Sequence, residues 1–143
     1  MAKVKGSVHI EAAPEQVLET VLDIPGLPAV MPSLEKVWDV QGHGVGCTYQ
    51  WQYKMSGVSF EGGAEIMEAG AGGVTLKTSG GIPSTWVYQF TPAAGGSDVK
   101  LSVEYTVPGS VLGAIADRLV VERQNQKEVN QALANIKARL EAD

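Results

Sequence analysis

Residues 108–143 read PGSVLGAIADRLVVERQNQKEVNQALANIKARLEAD, and this stretch decides the fold. It has no proline after Pro108 and no glycine after Gly113, so no residue after Gly113 breaks a helix. Its apolar residues recur at steps of three and four, which predicts one apolar helical face. At about 1.5 Å per residue, roughly 30 residues form a helix about 45 Å long. The apolar positions are Leu112, Ile115, Leu119, Val129, Leu133, Ile136 and Leu140.

This apolar face is interrupted at its centre by Glu122, Arg123 and Gln126. A helix of this length needs a partner that buries the two apolar ends, and the polar centre needs a separate explanation. We expect Arg123 or Gln126 to face an internal cavity and to hydrogen-bond a ligand there. The alternative is that these side chains lie on a solvated helix face. Because a buried, unpaired charge is costly, an inward Arg123 requires a carboxylate partner.

Before residue 108 the hydrophobic pattern has a period of two, which predicts strands. Residues 3–10 form the first strand, and one or two short helices follow, the first beginning at Pro14. Six more strands form a meander whose short turns make neighbouring strands antiparallel. These strands are predicted at 34–40, 45–55, 58–68 (with a bend or bulge at Gly62 and Gly63), 74–79, 84–91 and 99–107. Such a sheet must bury its apolar face, and the C-terminal helix has the surface to cover it.

The composition is that of one globular domain spanning residues 1–143, with a formal net charge of −5. The lysines and arginines are scattered singly, which argues against nucleic acid and anionic membranes as partners. The single cysteine, Cys47, excludes an internal disulfide and fits a reducing compartment. There is no signal-peptide pattern and no run of 18 apolar residues. We therefore expect a cytoplasmic protein that does not insert stably into membranes.

Aromatic side chains alternate along two of the predicted strands and share one face of the sheet. Each buried hydroxyl or indole N–H requires a hydrogen-bond partner, so this face carries more polar groups than a dry core accommodates. We expect these residues to line a pocket, their polar groups orienting a ligand; the alternative is ordinary core packing. The predicted ligand-binding residues on the strands and the helix are Tyr49, Trp51, Tyr53, Trp86, Tyr88, Tyr105, Leu119, Arg123 and Gln126.

The other reactive residue types indicate no catalytic centre. His9 and His43 are predicted to lie on the surface, and neither has the spacing of a metal site. Cys47 is expected to be an inert buried thiol, because no base partner for it can be identified. The glycine-rich segment 42–46 precedes a strand and is not a phosphate-binding loop. The sequence thus predicts no metal and no cofactor, and it leaves the catalytic residues, if any, unknown.

Seven short segments occur in a characteristic order: AAPEQV (12–17), LDIP (22–25), MPSLEKV (31–37), GVG (44–46), TWVYQFTP (85–92), PG (108–109) and NIKARLE (135–141). In this order they resemble the START-like or SRPBCC superfamily, and within it the polyketide cyclase/dehydrase-like and lipid-transport-like proteins. The resemblance implies an α+β helix-grip fold, in which a curved seven-stranded antiparallel sheet wraps around a long C-terminal helix. It also implies a cavity between sheet and helix, with its entrance near the short helices. Members often carry an aromatic residue between the prolines at 28 and 32, where this chain has none, which is expected to reshape the cavity mouth.

From these features we expect the protein to bind a small hydrophobic or aromatic ligand, lipid-like or polyketide-like, between sheet and helix. The alternative is a polyketide cyclase/dehydrase-type enzyme that positions such a ligand and acts by acid–base catalysis. A third reading, an interaction module, predicts an exposed apolar patch instead of a cavity. The expected partner is a small hydrophobic ligand and not nucleic acid, and the protein is expected to be a monomer or homodimer.

Overall fold

The structure is a computed structural model that describes residues 2–115 and 118–142, except for the side chains of residues 114 and 115. Seven strands and four α-helices follow one another along the chain. The strands are β1 (Ala2–Ile10), β2 (Leu34–Gln41), β3 (Thr48–Met55), β4 (Val58–Gly70), β5 (Gly73–Ser79), β6 (Ser84–Ala93) and β7 (Gly96–Tyr105). The helices are α1 (Pro14–Leu22), α2 (Leu27–Val30), α3 (Gly109–Ile115) and α4 (Arg118–Glu141), and a 3₁₀ turn, Ile24–Gly26, joins α1 to α2.

All seven strands form one curved antiparallel sheet in the order β1-β7-β6-β5-β4-β3-β2. The predicted meander from β2 to β7 is confirmed, and the first strand completes the sheet by pairing with the last, from Ala2 opposite Tyr105 to Ile10 opposite Ser97. The sheet thus matches the predicted helix-grip arrangement, with α4 against its inner face. The predicted irregularity at Gly62 and Gly63 is not a bulge, because β3 and β4 pair continuously there. The register shift of β4 lies between Ile66 and Glu68 instead.

The C-terminal half of the predicted helical stripe is correct. Val129, Leu133 and Ile136 of α4 are buried, and burying each such side chain contributes about 1.5–3 kcal/mol. The helix packs against β1 at Gly6, where an added Cβ atom would lie 3.1 Å from both Val129 and the Asn130 side chain. The glycine therefore allows the helix to approach the strand closely.

Polar contacts fix the C-terminal end of α4 to the rest of the chain. Arg139 Nη2 donates to Asp23 Oδ2 at 2.9 Å, and Lys137 Nζ donates to the carbonyl oxygen of His9 at 2.8 Å. Asn135 Nδ2 donates to the carbonyl oxygen of Val30 at 2.7 Å. These contacts join α4 to α1, β1 and α2, so the short helices and the long helix form one side of the interior.

At Leu119 the predicted stripe is wrong. Leu119 is 54% exposed, whereas Val121 is fully buried. Ten residues separate Leu119 from Val129, and at 3.6 residues per turn they lie about 80° apart around the axis. The predicted stripe joined two different faces of the helix. Ala116 and Asp117, which the prediction placed inside one continuous helix, lie outside the described residues.

The segment that precedes β3 also differs from the prediction. The alternating pattern predicted a strand from Val45, but β3 begins at Thr48 and Val45 is 63% exposed. Gly44 and Gly46 have φ values of 74° and 86°, which side-chain-bearing residues rarely adopt. The backbone therefore turns on both sides of Val45, and the alternation does not extend through it.

Candidate functional site

A pocket lies between the inner face of the sheet, the short helices and the centre of α4. Its walls enclose about 780 Å³ of atom-free space including the mouth, of which the centre of a water molecule can occupy about 80 Å³. One ordered water needs roughly 10–15 Å³ of the latter kind of space, so the pocket has room for more than a single water. The lining is Val21, Leu27, Met31, Leu34, Tyr49, Trp51, Tyr53, Met55, Phe60, Leu76, Thr78, Ile82, Ser84, Trp86, Tyr88 and Asn125.

The partly exposed lining residues are at the strand ends. Phe60, Ile82 and Ser84 are half-buried, whereas Leu27 and Met31 of the short-helix segment are buried. The other half-buried residues of the described lining are Tyr53 and Thr78, and an entrance near the short helices stays a prediction. Met31 does belong to the lining, in the segment where the family often carries an aromatic residue.

Tyr49 and Tyr88 are the two most buried tyrosines of the lining, with 5% and 3% of the residue exposed. Neither hydroxyl has a hydrogen-bond partner among the described residues. No side-chain polar atom in that part of the chain is both enclosed and unpartnered, so the two hydroxyls reach the open space of the pocket. Burial raises the pKa of both, and each also lies near another ionisable group, Tyr88 beside Tyr49 and Glu128 near Tyr88. At neutral pH both are donors that await a partner.

Trp51 lines the pocket with its ring, but its N–H is already used. The indole Nε1 donates to the carbonyl oxygen of Gly63 at 2.9 Å. A side chain at Gly62 would collide with this ring and with the carbonyl oxygen of Ser79. Gly62 therefore provides the space for the Trp51 ring. The expectation that the indole N–H orients a ligand is wrong for Trp51.

Glu128 is a buried carboxylate that contacts the lining residue Tyr53, with 2% of the residue exposed. Its Oε1 accepts from the backbone N–H of Ser33 at 3.2 Å, and its Oε2 accepts from the Tyr53 hydroxyl at 3.2 Å. Gln124 Nε2 donates to Ser33 Oγ at 2.8 Å. Burial and the charge of Glu128 raise the pKa of Tyr53. The carboxylate thus ties the chain after α2 and the strand β3 to α4.

Asn125 is the polar residue of α4 that lines the pocket, and it is buried. It interacts with Tyr105, which is also buried but lies outside the lining. Burial raises the pKa of Tyr105, while the hydrogen bond with Asn125 acts to lower it. Tyr105 therefore supports a lining residue without lining the pocket itself.

Of the nine predicted ligand-binding residues, five line the pocket and four do not. Tyr49, Trp51, Tyr53, Trp86 and Tyr88 are brought together as predicted, although their ligand-binding role stays a prediction. Arg123 and Gln126 lie in a separate shallow surface depression, and Gln126 Nε2 donates to the carbonyl oxygen of Lys5 at 2.9 Å. The predicted inward orientation of these two residues is therefore wrong. Leu119 and Tyr105 are outside the pocket lining.

The sequence analysis missed Asn125 and Glu128. A signal for them exists in the sequence: steps of three and four backward from Ile136 lead through Ala132, Val129 and Asn125 to Val121. Glu128 lies on the same face, four residues before Ala132. The described part of α4 buries this set of residues: Val121, Asn125, Glu128, Val129, Ala132, Leu133 and Ile136.

The remaining chemical candidates are outside the pocket lining. His9 is exposed and its Nδ1 lies 2.9 Å from Asp98 Oδ1, and His43 is exposed in the loop before β3. Cys47 is buried, and burial raises the pKa of its thiol. No three metal-binding side chains come together within the described ranges 2–115 and 118–142. In the same ranges, none of the helices combines the length and hydropathy needed to cross a bilayer.

Solved structures that are similar to this chain share its fold. The protein TTHA0849 from Thermus thermophilus is 21% identical, with a TM-score of 0.83 and 97% of each chain covered. The ZhuI aromatase/cyclase from Streptomyces sp. R1128 is 15% identical, with a TM-score of 0.74 over 99% of this chain and 96% of that one. The di-domain aromatase/cyclase BexL is 13% identical, with a TM-score of 0.81, and this chain covers half of it.

At the level of sequence, no curated protein matches the chain. A family model does match: the model described as "Polyketide cyclase / dehydrase and lipid transport" covers residues 1–141. That match includes all seven strands, all four helices and every residue of the pocket lining. The chain therefore belongs to the polyketide cyclase/dehydrase and lipid-transport family.

Proposed function

We propose that the protein binds a small hydrophobic or aromatic molecule, lipid-like or polyketide-like, in the pocket between the sheet and α4. The observation that carries this proposal is the pair of pocket hydroxyls, on Tyr49 and Tyr88, that have no partner among the described residues. Because both hydroxyls reach the open space of an apolar pocket, a ligand that enters the pocket can supply the acceptor for their hydrogen bonds.

The composition of the walls supports the same proposal. Small-molecule sites are mostly apolar and aromatic, with a few polar groups that fix orientation. Here Trp51, Trp86 and Phe60 supply flat apolar surface, and Asn125 supplies an amide at the helix side. The proposed ligand places its apolar body against the rings and its oxygen near Tyr49 and Tyr88. Among the similar structures, aromatase/cyclases carry this fold, which is consistent with a polyketide-like ligand.

The second candidate is a cyclase/dehydrase-type enzyme. It is favoured by the same two hydroxyls, because donors aimed into an apolar pocket stabilise an enolate oxygen. Proton abstraction also needs a base. The buried carboxylate of Glu128 already accepts from Ser33 and Tyr53, and the pocket lining contains no histidine among the described residues. Binding is therefore the better supported function. If the Tyr49→Phe variant turned over a substrate as fast as the wild type, the main reason for the enzymatic alternative would be removed.

We further propose that the protein acts in the cytoplasm as a monomer or homodimer and without a nucleic-acid partner. The scattered lysines and arginines and the single, buried cysteine support this proposal. Light scattering of the purified protein over a range of concentrations measures the oligomeric state, and a mass above that of a dimer would contradict it.

Native mass spectrometry of protein purified from its own host tests the binding function. We expect the wild-type protein to carry an additional mass that organic extraction removes. Leu76→Trp fills the pocket from β5 and is expected to abolish this mass. Lys77→Trp is the matched control, because Lys77 is the next residue on the same strand and is exposed. An additional mass that Leu76→Trp retains would show that the ligand lies elsewhere, provided that circular dichroism shows the variant to be folded.

A further inference from the structure

The pocket has no charged residue in its lining. None of its described members is a lysine, arginine, histidine, aspartate or glutamate. The sequence also has no cationic residue from 112 to 117, the part of the chain that includes the undescribed positions nearest α4. The lysines on the neighbouring strands, Lys36 and Lys54, are exposed. A negatively charged ligand group would therefore find no cation in the pocket.

A carboxylate contacts the lining of the pocket. Glu128 shares a 3.2 Å hydrogen bond with the hydroxyl of Tyr53, which belongs to the lining. Its charge also acts on Tyr88 and, together with burial, raises the pKa of that hydroxyl. The carboxylate is fixed by Ser33 on its other oxygen. The two hydrogen bonds therefore hold the carboxylate in contact with the lining through Tyr53.

We propose that the pocket selects an uncharged ligand whose carbonyl, ether or hydroxyl oxygen accepts hydrogen bonds from Tyr49 and Tyr88, and that it discriminates against the carboxylate of the same skeleton. The proposal rests on the binding function proposed above and specifies its ligand class. Free fatty acids and aromatic acids are disfavoured, and ketones, phenols, alcohols and neutral lipids are favoured.

The physical reason is the sum of two costs. A carboxylate that enters an apolar pocket loses its hydration, and without a cation only neutral donors compensate for that loss. It is also repelled by Glu128, since like charges interact more strongly in a low-dielectric interior than in water. A ketone has no charge whose hydration is lost and is not repelled by Glu128, yet it accepts the same hydrogen bonds from the two tyrosine hydroxyls.

Two pairs of probes that differ in charge but hardly in shape test this inference. The first pair is 2-acetylnaphthalene and 2-naphthoate, and the second is 1-decanol and decanoate. Isothermal titration calorimetry at neutral pH measures the affinity of the wild-type protein for each probe. We expect the neutral member of at least one pair to bind at least tenfold more tightly than its carboxylate. Equal or tighter binding of both carboxylates overturns the inference but leaves the binding function intact, whereas no binding of any of the four probes overturns both.

The Glu128→Gln variant tests the source of the discrimination. Glutamine is close to glutamate in shape and retains an acceptor for the Ser33 N–H, but it removes the charge. We expect the affinity ratio between neutral probe and carboxylate to fall severalfold. Glu122→Gln is the matched control: it removes a charge from the same helix at an exposed position, and the ratio should stay unchanged. If Glu128→Gln unfolds, Tyr53→Phe replaces it, because this variant releases the carboxylate from its tyrosine partner. Tyr53→Phe should then alter the affinity ratio between neutral probe and carboxylate, and Glu122→Gln should leave that ratio unchanged. An unchanged ratio in a folded Glu128→Gln protein contradicts the role given to this charge.

Discussion

Replacing Tyr53 or Tyr88 by phenylalanine removes the same hydroxyl group from two very different surroundings. The Tyr53 hydroxyl donates to Glu128 Oε2 at 3.2 Å, whereas the Tyr88 hydroxyl has no partner among the described residues. We therefore expect the two variants to differ in stability, and to differ in the opposite order in ligand affinity. This contrast separates hydroxyls that hold the fold together from hydroxyls that await a ligand.

The magnitudes follow from the hydrogen bonds. A hydrogen bond to a charged group contributes about 1.5–3 kcal/mol, and 3.2 Å is long for a hydroxyl and a carboxylate, which favours the lower end. Tyr53→Phe also leaves a buried carboxylate with one partner fewer. We expect it to lower the free energy of unfolding by about 1.5–2 kcal/mol. Tyr88→Phe breaks no protein hydrogen bond, so its change should stay within about 0.5 kcal/mol of zero.

Urea unfolding followed by tryptophan fluorescence measures both changes. With a slope of about 1–3 kcal/mol per molar urea, the midpoint of Tyr53→Phe should fall by roughly 0.5–2 M, and that of Tyr88→Phe should hardly move. In titrations with 2-acetylnaphthalene, Tyr88→Phe should lose about 0.5–1.5 kcal/mol of binding free energy, which is the value of one neutral hydrogen bond. An equal loss of stability in both variants would refute the reasoning, because it would show that the Tyr88 hydroxyl has a partner within the protein.

Three further predictions concern the framework around the pocket. Gly62→Ala should destabilise the protein by more than about 2 kcal/mol, roughly the cost of overpacking, because its Cβ would collide with the Ser79 carbonyl and the Trp51 ring. Thermal unfolding measures this loss against the control Gly70→Ala, where no atom lies within 4 Å of the added Cβ. An equal loss of stability in both variants would contradict the prediction. Leu133→Ala should lower the free energy of unfolding by about 2–5 kcal/mol. Met67→Ala, at a position that is 42% exposed, should lower it by about 0.5 kcal/mol or less. Similar losses of stability in chemical denaturation would argue against the packing of α4. The pKa values of Tyr49 and Tyr88 are raised above their ordinary value of 10.0, so the stability that their neutral forms contribute is present below about pH 10 and is lost as the pH rises above it. Ultraviolet absorbance should show tyrosinate from these residues only as the protein unfolds. Titration of these tyrosines in the folded protein would contradict the prediction.

Much of the fold follows from local sequence patterns. A period of two and short turns define each strand and its neighbour, so the meander from β2 to β7 was predictable, and Ser84–Ala93 and Gly96–Tyr105 lie within a few residues of the predicted bounds. The alternation also placed Tyr49, Trp51 and Tyr53 on one face, which is the pocket face. A strand leaves only two possible faces, so one correct register places every side chain.

The rotation of α4 was not predictable in the same way. A helix has a continuous range of faces, and an error of about 80° moved the predicted inward group from Asn125 and Glu128 to Arg123 and Gln126. Buried polar residues on the true core face interrupt its apolar pattern, so exposed Leu119 extended the stripe in its place. The sequence pattern treats an inward glutamate as a surface residue, although here Ser33 and Tyr53 satisfy the buried carboxylate.

The partners of individual polar groups were also beyond the sequence. The indole N–H of Trp51 bonds to the Gly63 carbonyl because Gly62 on the neighbouring strand leaves space for the ring. The Tyr49 and Tyr88 hydroxyls remain without a partner among the described residues because the sheet curves around open space. Both outcomes depend on distances across the sheet, which local sequence patterns do not contain.

The methionines provide the most direct test of the central claim, that a small molecule binds between the sheet and α4. Met31 and Met55 line the pocket, whereas Met67 is 42% exposed on β4 and lies outside the lining. Protein labelled with ¹³C in its methionine methyl groups is titrated with 2-acetylnaphthalene and with 1-decanol, and nuclear magnetic resonance follows each methyl signal. Binding in the pocket predicts saturable shifts of the Met31 and Met55 signals and a stationary Met67 signal. Shifts confined to Met67, or unchanged Met31 and Met55 signals with both probes, would contradict the proposed site.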